Sequence, residues 1–431
     1  MRVVIIAGGK GTRLSKLTKD EIPKPMVHIH GKPILQWQIE KLKENNISDI
    51  VIVVGYLKEA IINFFGDGKA FGLSIEYIEE IEPLGTAGAL YFLKDKINDD
   101  FFLLFADLVF DIDFDRMYKF HKNKNAYATL FVHPNSHPFD SDLLILDENS
   151  RVIDFDSKHN KRDYWYDNCV NAGIYVVSKE LLSDIDVLKK TDLEKDILFK
   201  KIHEQDIYGY MSTEYVKDVG TEERLRHTEL DMINGVVSAK NLKKKQKCIF
   251  LDRDGTINKY KGLIYKEEDL ELENCAVAAI KAINSSKYLA IVITNQPVVA
   301  RGLCEIKDVE NIQNKLKTLL GKEGAYLDDI FYCPHHPDKG YPEENKAYKI
   351  DCNCRKPKTG MIELAQERYN IDLEQSWCIG DTSVDIKTGE NAGLKTILLK
   401  TGEAGKDRKY DVKPDYECEN LLEAVNLILN K

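Results

Sequence analysis

With 431 residues and a formal net charge of −10, the chain is too long for one ordinary hydrophobic core and too acidic for a general binder of the nucleic-acid backbone. Its 43% hydrophobic and 31% charged residues are those of a soluble globular protein, and its longest apolar runs, such as residues 101–106, are too short to span a bilayer. The first residues pass from one charge into a strand and a glycine turn without the apolar stretch of a secretory signal, so we expect a cytoplasmic protein with small-molecule partners, not nucleic acid or membrane.

The first predicted strand, Val3 to Ala7, runs into Gly8, Gly9, Gly11, Thr12 and Arg13. Glycines at a strand end let backbone N–H groups approach an anion, which reads as a phosphate cradle. It is neither a Walker loop nor a dinucleotide fingerprint, because the required spacing is absent. Pro23-Lys24-Pro25 follows, in which two prolines fix an extended segment around one lysine that could reach the same phosphates. Further strands are expected at 50–55, 74–79, 101–107, 127–133 and 170–177. They alternate with helical patterns, which predicts an α/β domain with a mostly parallel mixed sheet covered on both faces. Ligands of such sheets sit at the carboxyl ends of the strands.

These residues resemble the sugar-1-phosphate nucleotidyltransferases, whose opening pattern is a Gly-rich loop, then PKP, then GKPIL, here Gly31 to Leu35. The resemblance implies a Rossmann-like nucleotidyltransferase fold over residues 1–237. It makes Arg13 and Lys24 catalytic, and Gly8, Gly9, Gly11, Thr12, Gly85 and Thr86 contacts of the nucleotide. Asn171 and Gly173 then line the sugar pocket, Lys158 holds the sugar phosphate, and Asp107 and Asp218 bind Mg²⁺. The chemistry is in-line attack of a sugar 1-phosphate oxygen on the α-phosphorus of a nucleoside triphosphate, for which positioning and charge neutralisation suffice.

Residues 238–247 read as a polar, basic linker. The strand after it delivers Asp252 and Asp254 into a Gly255-Thr256 turn. Three more strand ends or turns follow: Thr294-Asn295, Arg355-Lys356-Pro357 and Gly380-Asp381. One predicted helix, 277–286, lies between the first two strands, leaving no room for a cap domain. Of nine cysteines only Cys333, Cys352 and Cys354 fall together, and with His335 they form C-x-H and C-x-C pairs, the ligand set of a closed structural Zn²⁺ site.

Residues 248–431 resemble the haloacid dehalogenase superfamily, and within it the capless heptose-bisphosphate and histidinol-phosphate phosphatases with a zinc loop. The resemblance gives a second Rossmannoid domain. Asp252 would be the nucleophile and Asp254 the proton donor and later base. Asp252, Asp254 and Asp381 would hold Mg²⁺, Lys356 would neutralise the phosphoryl group, and Thr294, Asn295, Arg301 and Arg355 would contact substrate. A phosphatase fused to a transferase that consumes a sugar 1-phosphate must spare the anomeric phosphate. This selects a sugar bisphosphate and implies D-glycero-D-manno-heptose 1,7-bisphosphate, with GTP the expected nucleotide. Two alternatives stand beside it: a hexose 1-phosphate transferase fused to a histidinol-phosphate-like phosphatase, and a catalytically silent sensor of nucleotide sugars.

Overall fold

The computed structural model describes residues 1–9, 21–340 and 343–431, which fold as two compact units. The first comprises 1–133, 142–157 and 170–241. The second comprises 134–141, 158–169 and 242–431.

The elements of the first unit are β1 (Arg2–Ile6), α1 (Ile34–Glu44), β2 (Asp49–Val54), α2 (Lys58–Phe65), β3 (Ser74–Glu79), β4 (Phe101–Phe105), β5 (Leu108–Asp111), α3 (Phe114–Lys124), β6 (Ala128–His133), β7 (Leu143–Leu146), β8 (Val152–Asp156), β9 (Val170–Val177), β10 (Ile207–Met211), β11 (Tyr215–Asp218) and α4 (Glu222–Ile233). The main sheet runs β8-β7-β9-β4-β1-β2-β3, with β6 and then β10 branching from β9. β1 pairs in parallel with β2 and β4, and β2 with β3, whereas β9 runs antiparallel to β4 and β6. The parallel centre explains its sequence. Val3, Val4, Ile5, Ile50 to Val54 and Phe101 to Leu104 are all fully buried, as strands covered on both faces require. β5 and β11 form a separate antiparallel pair that sets Asp218 opposite Leu108.

The second unit contains β12 (Lys247–Leu251), α5 (Ala276–Asn284), β13 (Tyr288–Asn295), α6 (Ile306–Lys322), β14 (Asp329–Cys333), α7 (Gly360–Tyr369), β15 (Trp377–Gly380), α8 (Ser383–Asn391), β16 (Lys395–Leu399), β17 (Tyr416–Cys418) and α9 (Leu421–Leu429). Its six strands lie in the order β14-β13-β12-β15-β16-β17, and every pairing is parallel. Between the first two strands stand a single 3-10 turn (Glu267–Asp269) and α5, so no cap domain is inserted there.

The second unit also takes in two stretches from the first half of the chain. The Tyr166 N–H donates to Thr318 Oγ1, whose hydroxyl donates to Tyr166 O, both at 3.1 Å. Lys317 pairs with Asp167 at 2.7 Å, and Lys315 and Lys322 both lie over the Trp165 ring. Gly321 leaves room for Pro138, since a Cβ there would meet Pro138 Cγ at 2.6 Å. Sequence periodicity does not show this, because the contacts join residues about 150 positions apart and are made by side chains on one face of α6. Along the chain the last passage from the first unit to the second falls between Asn241 and Leu242.

Candidate functional site

The second unit carries the more completely built site. Asp252 follows directly on β12, and its N–H donates to Ile379 O at 2.9 Å, extending the ladder with β15. Parallel neighbours therefore bring Asp252 and Asp381 out at the same sheet edge. The Lys356 ammonium donates to Asp252 Oδ1 and to Asp385 Oδ1, each at 2.6 Å. Asp385 has a second task as the capping-box partner of Thr382 at the start of α8, its Oδ2 accepting from the Thr382 N–H (3.1 Å) and hydroxyl (2.6 Å).

Ligand oxygens of Asp252, Asp381 and Asp385 all lie within 4.8 Å of one another, and all three residues are buried. Burial, then repulsion from the neighbouring acids, pushes Asp381 up to about 9. Burial likewise raises Asp252, to about 7, although Lys356 opposes it. Three crowded carboxylates facing one lysine form a pocket that a cation would relieve. Asp381 Oδ1 is fully buried and has no hydrogen-bond partner among the described residues, the mark expected of a metal ligand. Space is held open by glycine. A Cβ on Gly255 or Gly402, both at positive φ, would stand 2.3 or 2.0 Å from Asp381 Oδ2.

Asp254 is not in that acidic group. Its carboxylate is instead held by Arg253, by Gln296 Nε2 at 2.8 Å and by Asn258 Nδ2 at 2.9 Å. Asp385, four residues after Asp381, belongs to the group in its place. Thr294 is buried beside the site and accepts from Gln296 at 3.0 Å. Asn295 faces inward, its amide donating to Lys356 O and its carbonyl oxygen accepting from the Lys356 N–H, so it positions the lysine loop. Arg355 donates to His335 O at 3.0 Å.

Cys333, His335, Cys352 and Cys354 also come together. The Sγ atoms of Cys333 and Cys352 are 3.4 Å apart, those of Cys352 and Cys354 3.2 Å, and His335 Nδ1 lies 3.4 Å from Cys354 Sγ and 3.8 Å from Cys333 Sγ. Tetrahedral zinc with sulfur ligands needs edges of about 3.7 Å, so the four atoms already outline such a site. Hydrogen bonds from Cys333 and then, past the opposing effect of burial, from Cys352 and His335 pull the Cys354 thiol down to about 5. The same contact pushes the Cys333 thiol the other way, so the two sulfurs share a proton between them.

In the first unit Lys24 pairs with Asp107. Asp107 O accepts from the Val219 N–H at 3.0 Å, which sets it beside Asp218, and Asp218 pairs with Arg224. The turn carrying Asp107 is gripped by Gln38 of α1, whose amide donates to Phe105 O (2.9 Å) and Leu108 O (2.7 Å). Gly8 lies against Glu80, and a Cβ on it would meet Glu80 Oε2 at 2.0 Å, while Glu80 Oε1 accepts from Leu84 N at 3.2 Å. Gly85 has φ +78°, and a Cβ there would stand 2.5 Å from Thr191 O. The Thr86 hydroxyl accepts from the Leu193 N–H at 2.7 Å, so it braces this loop.

Asn171 accepts from the Gly173 N–H at 3.3 Å and donates to Tyr175 Oη at 2.9 Å, while Tyr175 in turn donates to Glu194. Burial pushes the Glu194 carboxyl up to about 7. Lys158 opens the 158–169 stretch, which groups with the second unit, whereas Asn171 and Gly173 group with the first. A Cβ on Gly9 would meet no atom of the described residues within 4 Å. Gly11, Thr12 and Arg13 lie outside the described residues.

Residues 2–234 match the nucleotidyl transferase family, and residues 353–424 match a HAD-hydrolase-like family. The D-glycero-alpha-D-manno-heptose-1,7-bisphosphate 7-phosphatase of Photorhabdus laumondii is 42% identical over 159 residues, 37% of this chain and 85% of that protein. The chain belongs to the nucleotidyl transferases and, through its second half, to the heptose-bisphosphate phosphatases. Probable mannose-1-phosphate guanylyltransferase 3 of Oryza sativa is 33% identical over 225 residues, 51% of this chain, and the chain spans 61% of that relative's length. The crystal structure of HddC from Yersinia pseudotuberculosis is 26% identical, with a TM-score of 0.47, over 54% of this chain and 99% of that one.

Both halves are therefore enzymes, one a transferase and one a phosphatase. Sequence reading did not select Gln38, Glu80, Glu194 or Arg224. The signal available for two of them was position near a motif: Glu80 stands five residues before Gly85, and Arg224 six after Asp218.

Proposed function

We propose that the second unit removes the 7-phosphate of D-glycero-D-manno-heptose 1,7-bisphosphate, and that the first transfers GMP from GTP to the heptose 1-phosphate that remains. The observation that carries this reading is the 42% identity to a heptose-bisphosphate 7-phosphatase across 85% of its length, in a chain whose other half is a nucleotidyl transferase. One product phosphate must survive for the transferase, and a bisphosphate meets that need.

In the phosphatase, Asp252 attacks the phosphorus and Asp254 gives its proton to the departing sugar oxygen. Asp254 then takes a proton from the water that releases phosphate from Asp252. Lys356, already between Asp252 and Asp385, offsets the charge of the phosphoryl group. Asp252, Asp381 and Asp385 would hold Mg²⁺, which supplies further charge neutralisation when bound. Arg301 and Arg355 would meet the distal phosphate, and Thr294 the transferring one. The Cys₃His cluster would hold a structural Zn²⁺, and thiols used this way suit a cytoplasmic setting.

In the transferase, Lys24 and Arg13 would neutralise the triphosphate, with Mg²⁺ held by Asp107 and Asp218. Glu80 supports guanine as the base. A carboxylate lodged between the glycine loop and Leu84 offers acceptors to the N1–H and amino donors of guanine, a pair of donors that adenine lacks. Gly8, Gly9, Gly11, Thr12 and the Gly85-Thr86 loop would enclose the nucleotide, and Asn171, Gly173 and Glu194 the sugar.

The test is a coupled assay on the purified chain with Mg²⁺, heptose 1,7-bisphosphate and each of GTP, ATP, CTP and UTP in turn. Phosphate release from the 7-position followed by pyrophosphate release with GTP is expected. Release of the anomeric phosphate first would refute the phosphatase reading. Pyrophosphate release with another nucleotide but not with GTP would refute the base assignment.

A further inference from the structure

Gln296 touches both special features of the second unit. It follows directly on β13, and its N–H donates to the carbonyl of Cys333, a member of the thiol cluster, at 2.8 Å. Its side chain serves three partners. Nε2 donates to Asp254 Oδ2 (2.8 Å) and Thr294 Oγ1 (3.0 Å), and Oε1 accepts from Arg253 Nη2 (3.0 Å). A reversed amide would point its N–H₂ at a guanidinium, so only one orientation satisfies all three.

Arg253 completes the arrangement. It has no exposed surface, and it donates to Asp254 Oδ1 through Nε (3.2 Å) and Nη2 (3.0 Å), and to Oδ2 at 2.9 Å. Gln296 is only 2% exposed. A closed, buried hydrogen-bond ring of this kind fixes geometry more than it adds net stability, because each member is restrained by two others.

We propose that Gln296 is a positioning residue for Asp254, locking the carboxyl that exchanges the proton and referring its place to the backbone of the thiol cluster. This rests on the reading of Asp252 as nucleophile and Asp254 as acid. In the step concerned, the bond from Asp252 to phosphorus forms and the bond from phosphorus to the leaving oxygen breaks. The electron pair goes to that oxygen, and the Asp254 proton follows it. An alkoxide needs that proton, whereas a nitrophenolate departs without it.

The experiment compares wild type with Gln296→Met, which keeps the volume and removes both polar atoms, using kcat/KM, a quantity that reports steps up to phosphoenzyme formation. Substrates are heptose 1,7-bisphosphate, phenyl phosphate and p-nitrophenyl phosphate. For the variant we expect a fall of about 100-fold on the first two and of less than about 3-fold on p-nitrophenyl phosphate, the range of one misplaced general acid. Bound metal should be unchanged. Equal losses on all three substrates would overturn the proposal, as would no loss on any. Gln296→Glu keeps the acceptor for Arg253 but not the donor to Asp254, and should show the same leaving-group pattern if the methionine variant does not fold. A wild type that hydrolyses aryl phosphates but not heptose bisphosphate would remove the substrate reading and leave this test standing on the aryl pair. A wild type inert toward every ester would overturn both.

Discussion

Replacing Lys356 by Met should separate stability from catalysis in the second unit. The ammonium is buried and makes two 2.6 Å hydrogen bonds, to Asp252 and Asp385, with Asp381 close by. Burial opposes its charge, but the two aspartates outweigh that effect and raise its pKa. Removing one partner of such a buried pair costs about 3–5 kcal/mol, because the remaining charges are left uncompensated. In Lys356→Met three carboxylates would then face one another with no cation. A divalent ion should bind more tightly there than in wild type, and at 100 times its Kd it returns about 2.7 kcal/mol. Denaturant unfolding at pH 7.5 should therefore show a large deficit in EDTA that Mg²⁺ mostly closes, with a larger Mg²⁺ increment than in wild type. Phosphatase kcat/KM should stay about 10²–10³-fold down throughout, the usual cost of one lost electrostatic donor. An EDTA deficit below about 1 kcal/mol, or equal Mg²⁺ increments in the two proteins, would show that the lysine does not hold the acids together.

Gly402→Ala would place a Cβ at φ +55°, 2.0 Å from Asp381 Oδ2 and 2.8 Å from Gly255 Cα. Phosphate release should be lost with about 1–3 kcal/mol of stability, while nucleotide-dependent pyrophosphate release is retained; loss of both activities would contradict the local account. Metal analysis of the purified chain should find close to one zinc per molecule, and Cys354→Ser should abolish it and lower the unfolding temperature of the second unit. For Glu194, raised from the ordinary 4.5 to about 7 by burial, the sign runs toward acid. Folding favours the protonated carboxyl, so its stabilisation is complete below 4.5 and is lost as pH rises through 7. Relative to Glu194→Gln, wild type should lose up to about 3 kcal/mol between pH 4.5 and 7.5 in urea unfolding, and parallel pH profiles would count against a buried carboxyl.

Motifs that act through their own backbone were legible in the sequence. Asp252, Asp381 and the Cys₃His set announce themselves because a strand end or a tight loop fixes their neighbours within a few residues, so spacing encodes geometry. The parallel sheet was legible for the same reason, since strands buried on both faces must be continuously apolar. What spacing does not encode is which side chain a motif residue turns toward. Thr86 and Asn295 have the residue types of ligand contacts, yet their polar atoms meet Leu193 and Lys356. Asp254 lies two positions from Asp252 but is captured by Arg253, Gln296 and Asn258, and Asp385 takes the place it was expected to fill. Gln38, Glu80 and Glu194 act across long sequence separations, 67 residues for Gln38 to Phe105, and no periodicity marks such pairs.

The two sites share one electrostatic device. In each, a lysine directly before a proline is buried against a strand-end aspartate: Lys24 on Asp107 and Lys356 on Asp252. A phosphate carries its charge into a place already lined with carboxylates, which by itself is repulsive. Held in an ion pair, each lysine would offer an arriving phosphate a cation that is already desolvated. In this way an acidic chain of net charge −10 would accommodate phosphate-bearing substrates. Charges scattered over the surface are screened within about 8 Å, so the field a bound phosphate meets is set by the few groups in contact with it. Total charge therefore has no bearing on the charge of the substrate.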